Sequence, residues 1–534
     1  MLSDQLATAV RGALVSLGVE APAEVQLERP ARREHGDWST NVALATARSA
    51  AANPRELGQR LADALMADPP PHVLRVEVAG PGFVNFHLAD TWLHEVLVEV
   101  IESGLEGYGR SDVGGGRTVN VEFVSANPNK PLHVGHGRNA CVGDSIARLL
   151  ERTNHRVTRE NYLNDRGTQM TLFAESLAAR KRGEPPPPDG YHGDYVTEWA
   201  AEMPAGADPL EWGYERALAS HRATLDALGV HFDVWFSERS MDADGSIERT
   251  LADLAAAGYT YQQDGATWLA SSRLGDEKDR VLVRSEGDYT YLAPDIAYHR
   301  DKFARGHDLL IDVWGADHHG YIARMKAAVK ALGHDPDDLE VITQQLVDIV
   351  QGGAEVRMSG RSGDFVELDW LLAEVGVDAA RFTYLLQSSD TRLTFDLDLV
   401  TSRAMENPVY YVQYAHARIS SIFKHAAERG VDRQPLPDTD LTLLCHPREL
   451  ELLRALDLLG ESVQTAALER APHKLITWLR DTAGAFHGFY HDCYVMGEGV
   501  TPELTQARLW LTDATRVGLR VGLDLVGVSA PESM

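Results

Sequence analysis

Cysteine is nearly absent: the 534 residues hold three, Cys141, Cys445 and Cys493. Their number is odd and they lie far apart, which excludes a disulfide framework and a four-cysteine zinc site. No run of eighteen apolar residues occurs, so no membrane span is expected. A secretory leader is not expected either, because MLSDQLATAVRGALVSLGVE carries Asp4 and Arg11 and no clear cleavage motif. That stretch predicts an amphipathic helix, with Leu6, Val10, Leu14 and Leu17 on one side. These absences make the cytoplasm the expected location. Positive charge is scarce too: 51 Lys and Arg stand against 79 Asp and Glu, a net charge of −28. Taken alone, that total argues against a nucleic-acid partner. Screening over about 8 Å nevertheless lets local patches outweigh it. The two basic clusters, Arg29/Arg32/Arg33 and Arg180/Lys181/Arg182, fit solvated faces.

The length predicts several domains, since one core rarely exceeds about 250–300 residues. Segment 1–112 mixes helical patterning with an alternating stretch from Val73 to Leu88, an α+β composition. In RTVNVEFV, Val119, Val121 and Phe123 alternate with Asn120 and Glu122, the period of a strand. The turn SANPNKPL follows, then a helix from His136 to about Arg152, then a returning strand over 156–163. Strand, helix and strand make a βαβ unit and imply a parallel α/β sheet. The order recurs at 309–333, where LLIDVW, GADHHG and YIARMKAAVKALG form strand, turn and helix. The prolines at 185–188 predict a loop or stiff spacer. From 401 onward helical periodicity dominates, predicting an all-α C-terminal bundle.

Three motifs carry chemistry. His133-Val134-Gly135-His136 lies where a strand gives way to a helix. There, unpaired backbone N–H groups and the helix dipole favour an anion. Two imidazoles three residues apart share one side of the first turn, and Gly135 leaves room for close approach. The pattern suits stabilisation of phosphate charge as pyrophosphate leaves. A zinc-binding pair or two surface histidines are equally compatible with the residues alone. Arg357-Met358-Ser359-Gly360-Arg361 follows a predicted hairpin, VDIVQGGAEVRMS, and is either a loop that closes over a triphosphate or a basic surface loop. Gly315-Ala316-Asp317-His318-His319 follows a strand's C-terminal end, where ligands of open α/β sheets bind, and Asp317 is placed to hold a ribose hydroxyl. No companion aspartates at metal-ligand spacing support a phosphoesterase reading.

In this order, HVGH, GADHH and RMSGR resemble the HIGH, ribose-side and KMSKS elements of class I aminoacyl-tRNA synthetases. The surrounding words are similar to the arginyl-tRNA synthetase family: HGDWSTNVAL at 35–44, VAGPGFVNF at 78–86, VEFVSANPNKPLHVGHGRNACVGD at 121–144, NYLNDRGTQ at 161–169, YLAPDIAYHRDKF at 291–303, NPVYYVQYAHARI at 407–419 and GVSAPESM at 527–534. Nearly the whole chain takes part, least so 183–285. The resemblance implies a Rossmann-like catalytic core over 113–400 with an insertion at about 170–285. It also implies an N-terminal additional domain over 1–112, touching the tRNA elbow, and a helical anticodon-binding domain over 401–534.

The resemblance further implies site roles. His133, Gly135, His136, Gly315, Asp317, His318, Arg357, Met358, Ser359 and Arg361 would bind ATP, which arrives with Mg2+; no structural metal is expected. Ser125, Asn127 and His133 would hold the amino and carboxylate groups of L-arginine. Tyr291 and Asp295, with Glu122 nearby, would recognise its guanidinium, a planar fork that fixed carboxylates suit and lysine cannot copy. A helix cap for Asp295 and core packing for Tyr291 are the structural alternatives. Where the family usually carries a lysine in the KMSKS-like loop, this chain has Gly360, and Lys130 is the residue expected to supply that charge. Tyr411, Tyr414 and Arg418, one stripe of a helix, would face the anticodon together with Met534; a buried packing stripe is the alternative. Residues 401–534 hold 13 basic and 17 acidic side chains, net −4, less acidic per residue than the rest. The implied protein is a monomeric arginine–tRNA ligase. The rivals are a tRNA-binding paralogue without catalysis and a different class I ligase.

Overall fold

Alternation in RTVNVEFV places β1 (Thr118–Glu122) at the centre of a five-stranded parallel sheet. Its companions are β2 (Arg156–Leu163), β3 (Val234–Ser237), β4 (Leu309–Gly315) and β5 (Leu339–Gln344), in the order β5-β4-β1-β2-β3. The computed structural model describes residues 2–30, 32–356 and 365–534, so the RMSGR motif with Arg357, Met358, Ser359 and Arg361 lies outside the described residues. Both faces of the central strand are covered: Val119 and Val121, with Phe123 just beyond the strand, are fully buried on one face, and the polar Asn120 and Glu122 are buried on the other. Helix α1 (Val134–Arg152) crosses from β1 to β2 and is buried along most of its length. It can lie this close because residue 143 is glycine. A Cβ there would stand 2.2 Å from Cγ of Phe123.

Helix α2 (Leu292–Ala304) precedes β4 and packs its Ile296 and Tyr298 into the core beneath the sheet. Helix α3 (Val377–Tyr384) carries Arg381, which is fully buried. Arg381 pairs with Asp144 of α1 and donates to the carbonyls of Leu228 and Val526, at 3.0 and 3.1 Å. One guanidinium thereby ties the sheet-spanning helix, the inserted segment and the C-terminal tail. The insertion has its own antiparallel sheet, Thr260–Gln263, Ala266–Leu269 and Arg280–Val283. A further small sheet joins Val347–Gln351 to Ala354–Glu355 and, in parallel, to Leu393–Asp396.

Beyond residue 401 the described residues are helical, with no strand. The long helices α4 (Pro408–Glu428), Pro472–Asp492 and Pro502–Leu525 each begin at a proline, which fits the first helical position. Asn407 caps α4 by accepting from the Val409 N–H. The architecture is thus a Rossmann-like core with an N-terminal α+β region and a helical C-terminal region.

By contacts the chain parts into two units that are not contiguous in sequence. One gathers 1–102, 430–457 and 488–514; the other holds 103–429, 458–487 and 515–534. The first contains an antiparallel sheet in the order Trp38–Thr40, Phe83–Leu88, Val73–Ala79. Helices Leu2–Ser16 and Pro54–Ala67 bury Leu6, Val10, Leu14, Leu57 and Leu61 in this unit. Its segments are joined by charge pairs, Arg29 with Asp457 and Arg454 with Asp90.

Candidate active site

The loop after β1 is strained. Val124 and Ser125 sit at φ +69° and +42°, values that a β-branched residue and a serine adopt only when the surroundings enforce them. Asn139 of α1 supplies part of that enforcement: its Oδ1 accepts from the Val124 N–H at 2.6 Å and its Nδ2 donates to the Val313 carbonyl at 3.0 Å. Ser125 is turned back so that its Oγ donates to Glu122 at 2.8 Å.

The HVGH turn forms the N-terminus of α1 with a reciprocal cap made of imidazoles. Nδ1 of His133 accepts from the Gly135 N–H at 3.1 Å, and Nδ1 of His136 accepts from the His133 N–H at 3.2 Å. The rings stack with centroids 3.7 Å apart. Two consequences follow. Because each Nδ1 is an acceptor, the neutral ring carries its hydrogen on Nε2, ready to donate to an oxygen. The first-turn amides, expected from sequence to be unpaired, are instead bonded: Val134 N–H to Val366, Gly135 N–H to His133 Nδ1, His136 N–H to His133 O. An anion at this turn would therefore be met by the imidazole Nε2–H groups and the helix dipole. Burial, with the nearby Lys130 charge, pulls His133 down to about 4 and holds His136 well below the ordinary histidine value, so both are neutral donors at pH 7.

A cavity of about 1550 Å³ opens at the C-terminal ends of the strands. His133, Gly135 and His136 line one side; Gly315, Asp317 and His318 line another; Glu122, Ser125 and Asp295 line a third. These nine candidates, from the ATP-side and arginine-side sets, thus share one chamber. Asp295 lies in the first turn of α2 but is not its cap, a position held by Tyr291. Its carboxylate accepts from the Tyr321 hydroxyl at 2.6 Å, and burial raises its pKa. Asp317 and His318 are largely exposed on the cavity rim.

Three acids stand side by side across the sheet, Asp312, Glu122 and Glu160. Lys302, fully buried on α2, donates to Glu122 and to Asp312, the latter at 2.9 Å. Arg305 meets Glu160 at 2.8 Å, and His299 meets Asp312 at 3.0 Å. Burial still raises Glu122, while the Lys302 and His299 partners hold Asp312 down at about 2 despite its own burial. Asp295, His299 and Lys302 are spaced by four and three residues, a signal for one helix stripe that the sequence contains in YLAPDIAYHRDKF. Two further residues were not singled out from sequence. Tyr162 lines the cavity, and behind it stands Glu238, whose buried carboxyl is raised to about 7. No pattern in the poorly matched 183–285 stretch marks Glu238.

Other sequence candidates fall elsewhere. Tyr291 is 79% exposed and does not line the cavity, which removes core packing as its role. Asn127 donates to Gln169 at 2.6 Å, and Lys130 lies 5.3 Å from the Phe365 ring; neither lines the chamber. On α4, Tyr411, Tyr414 and Arg418 do form one stripe and are half-buried. Tyr414 stacks on Tyr410 at 5.6 Å, Arg418 lies over its ring at 4.7 Å, and Tyr411 meets His487 edge-on at 4.6 Å. The chain's last residues run beside this helix, since His416 donates to the Pro531 carbonyl at 2.8 Å and Gln413 to that of Ser529 at 3.0 Å. Met534 is 53% exposed.

Comparison with known proteins covers the chain from end to end. Family models match in sequence order: "Arginyl tRNA synthetase N terminal domain" over 4–88, "tRNA synthetases class I (R), catalytic domain" over 103–184 and 216–398, and "DALR anticodon binding domain" over 412–534. Among curated proteins, the arginine–tRNA ligase of Carboxydothermus hydrogenoformans is 45% identical, over 100% of this chain and 99% of its own length. That of Desulforudis audaxviator is 47% identical over 98% and 97%. Among solved structures, arginyl-tRNA synthetase of Thermus thermophilus superposes with a TM-score of 0.79 at 25% identity, covering 100% of both chains.

Proposed function

This chain belongs to the arginyl-tRNA synthetase family and is an arginine–tRNA ligase, and from that premise we propose how its own residues divide the work. The observation that supports the division is the single chamber lined by the paired imidazoles on one side and by buried carboxylates on the other. ATP occupies the imidazole side. Nε2–H groups of His133 and His136 donate to phosphate oxygens, Gly135 and Gly315 leave room for the nucleotide, and Asp317 with His318 takes the ribose. The loop of Arg357, Met358, Ser359 and Arg361 adds charge over the triphosphate, and Lys130 supplies what Gly360 cannot. Mg2+ enters on the triphosphate, as part of the substrate.

L-Arginine lies against the carboxylates. Asp295, oriented by Tyr321, and Glu122 meet the guanidinium, and Tyr291, outside the chamber in this structure, joins them when arginine is bound. Ser125, Asn127 and His133 hold the amino and carboxylate groups. Citrulline, uncharged, would leave buried carboxylates poorly paired and is rejected. Activation then forms a bond between the arginine carboxylate oxygen and the α-phosphorus while the bond to pyrophosphate breaks. In the second step the terminal 2′-hydroxyl of the tRNA attacks the adenylate carbonyl and AMP leaves. Tyr411, Tyr414, Arg418 and Met534 contact the anticodon, where aromatic rings stack on splayed bases. We assign 1–112 to the tRNA elbow, 113–400 to catalysis and 401–534 to the anticodon. The enzyme acts as a cytoplasmic monomer.

The test is pyrophosphate exchange with each amino acid, with and without arginine-accepting tRNA. L-Arginine alone should support exchange. Exchange driven by another amino acid, or by none, would overturn the division of the chamber.

A further inference from the structure

Gln344 ends β5, beside Gly315 in the register of the sheet, and lines the chamber 7% exposed. Its Nε2 donates to the Gly135 carbonyl at 3.0 Å. That carbonyl can only accept, so the amide nitrogen must face it and the orientation of the side chain is fixed. The other end, Oε1, is buried with no hydrogen-bond partner among the described residues. An orphaned amide oxygen costs free energy in the empty protein and is rare in native structures. Gln344 itself pairs with Gly315 in the sheet and bonds Gly135, the two glycines that flank the proposed nucleotide. Neither the phosphates nor the arginine carboxylate can satisfy the orphaned oxygen, since both are acceptors, and the ammonium and guanidinium donors of arginine are already assigned to Ser125, Asn127, Asp295 and Glu122. The nucleoside of ATP has donors: the 6-amino group of adenine and the two ribose hydroxyls.

We propose that Gln344 reads the nucleoside of ATP, its Oε1 accepting a hydrogen bond from one of these donors while its Nε2 holds the HVGH turn. This rests on the ATP site described above and adds a specificity residue to it. The two ends of one amide then couple the fit of the nucleoside to the position of the imidazole turn.

Arginine-dependent pyrophosphate exchange by the full chain, with tRNA present, tests the proposal. The nucleotides are ATP, purine riboside triphosphate, 2′-deoxyATP and 3′-deoxyATP. In the wild type at least one analogue should fall below ATP in kcat/KM by about tenfold or more, the usual cost of stranding a buried acceptor. Gln344→Met should bring that same ratio close to one. Gln344→Glu keeps an acceptor but loses the donor to Gly135, so its overall rate should drop while the ratio persists. A ratio that collapses for purine riboside triphosphate assigns the base; one that collapses for a deoxy analogue assigns that hydroxyl. Unchanged ratios for all three analogues in Gln344→Met would overturn the proposal, as would a wild type indifferent to all three, whatever the variants do. Failure of the ATP-site reading is distinct: arginine would then drive no exchange with ATP itself.

Discussion

Lys130 and Glu238 illustrate how charge is stored at single residues around the chamber. Lys130 lies close enough to His133 to depress its protonation, although burial has the larger share of that effect. Burial also lowers Lys130 itself. If Lys130 replaces the lysine missing at position 360, Lys130→Ala should cut the exchange rate about 100- to 1000-fold, the range for losing one preorganised transition-state contact. Lys130→Arg should restore part of it. The same alanine variant should let the His133 ring titrate at higher pH by NMR, a change that a merely structural lysine distant from the site would not cause. An unchanged exchange rate would reject the substitution idea. Behind Tyr162, Glu238 is raised to about 7, chiefly by burial, with the neighbouring Asp295 and Asp165 charges adding to the rise. Below that pH it is neutral and, from behind Tyr162, adds no negative charge to the field at the Asp295 pocket. A bound guanidinium favours the ionised form, so binding strengthens as pH rises through about 7 and releases protons there. The KM for arginine should therefore climb as pH falls from 8 to 6, and Glu238→Gln should flatten the profile. A wild-type profile that is already flat counts against electrostatic coupling between Glu238 and the bound substrate.

At the scale of elements, β1 and α1 set the chamber's geometry, and their contact is controlled by Gly143. An added Cβ would lie 2.2 Å from Cγ and 2.6 Å from Cβ of Phe123, a fully buried ring that cannot retreat. Gly143→Ala should destabilise the protein by about 1–3 kcal/mol through overpacking. It should also lower exchange by tilting the imidazole turn, as urea denaturation and the exchange assay would show together; wild-type stability would mean that the helix can shift at no cost. Local pattern made these elements legible in advance. The β1 alternation, the helix ending at Arg152 and the strand over 156–163 all follow from residue spacing, and the structure has that strand at Arg156–Leu163. What spacing could not carry is pairing across distance. Leu393–Asp396 joins Val347–Gln351 in parallel. The Asp312–Glu122–Glu160 row exists only because three separated strands align, with Lys302 and Arg305 brought over them by α2. Likewise His133 and Asp295 are each visible in their motifs, whereas their shared chamber is a property of the fold.

For the whole molecule the question is what a charge of −28 does to stability and to an encounter with a polyanion. The accessible surface is 24392 Å², so one excess negative charge occupies about 870 Å² and neighbouring ones are about 30 Å apart. That spacing matches the screening length at about 0.01 M salt and far exceeds the length of about 8 Å at 0.15 M. Long-range self-repulsion is therefore felt in dilute buffer and largely gone at physiological ionic strength. By the same argument the net charge hardly opposes tRNA at physiological ionic strength, where short-range contacts, such as the one proposed for Arg418, outweigh it. The unfolding midpoint should rise between 10 and 100 mM KCl and then level off, measured by thermal denaturation at constant pH. If it keeps rising in proportion to salt up to 1–2 M, screening is not the cause; the acidic surface would then have to stabilise the fold through its hydration at high salt.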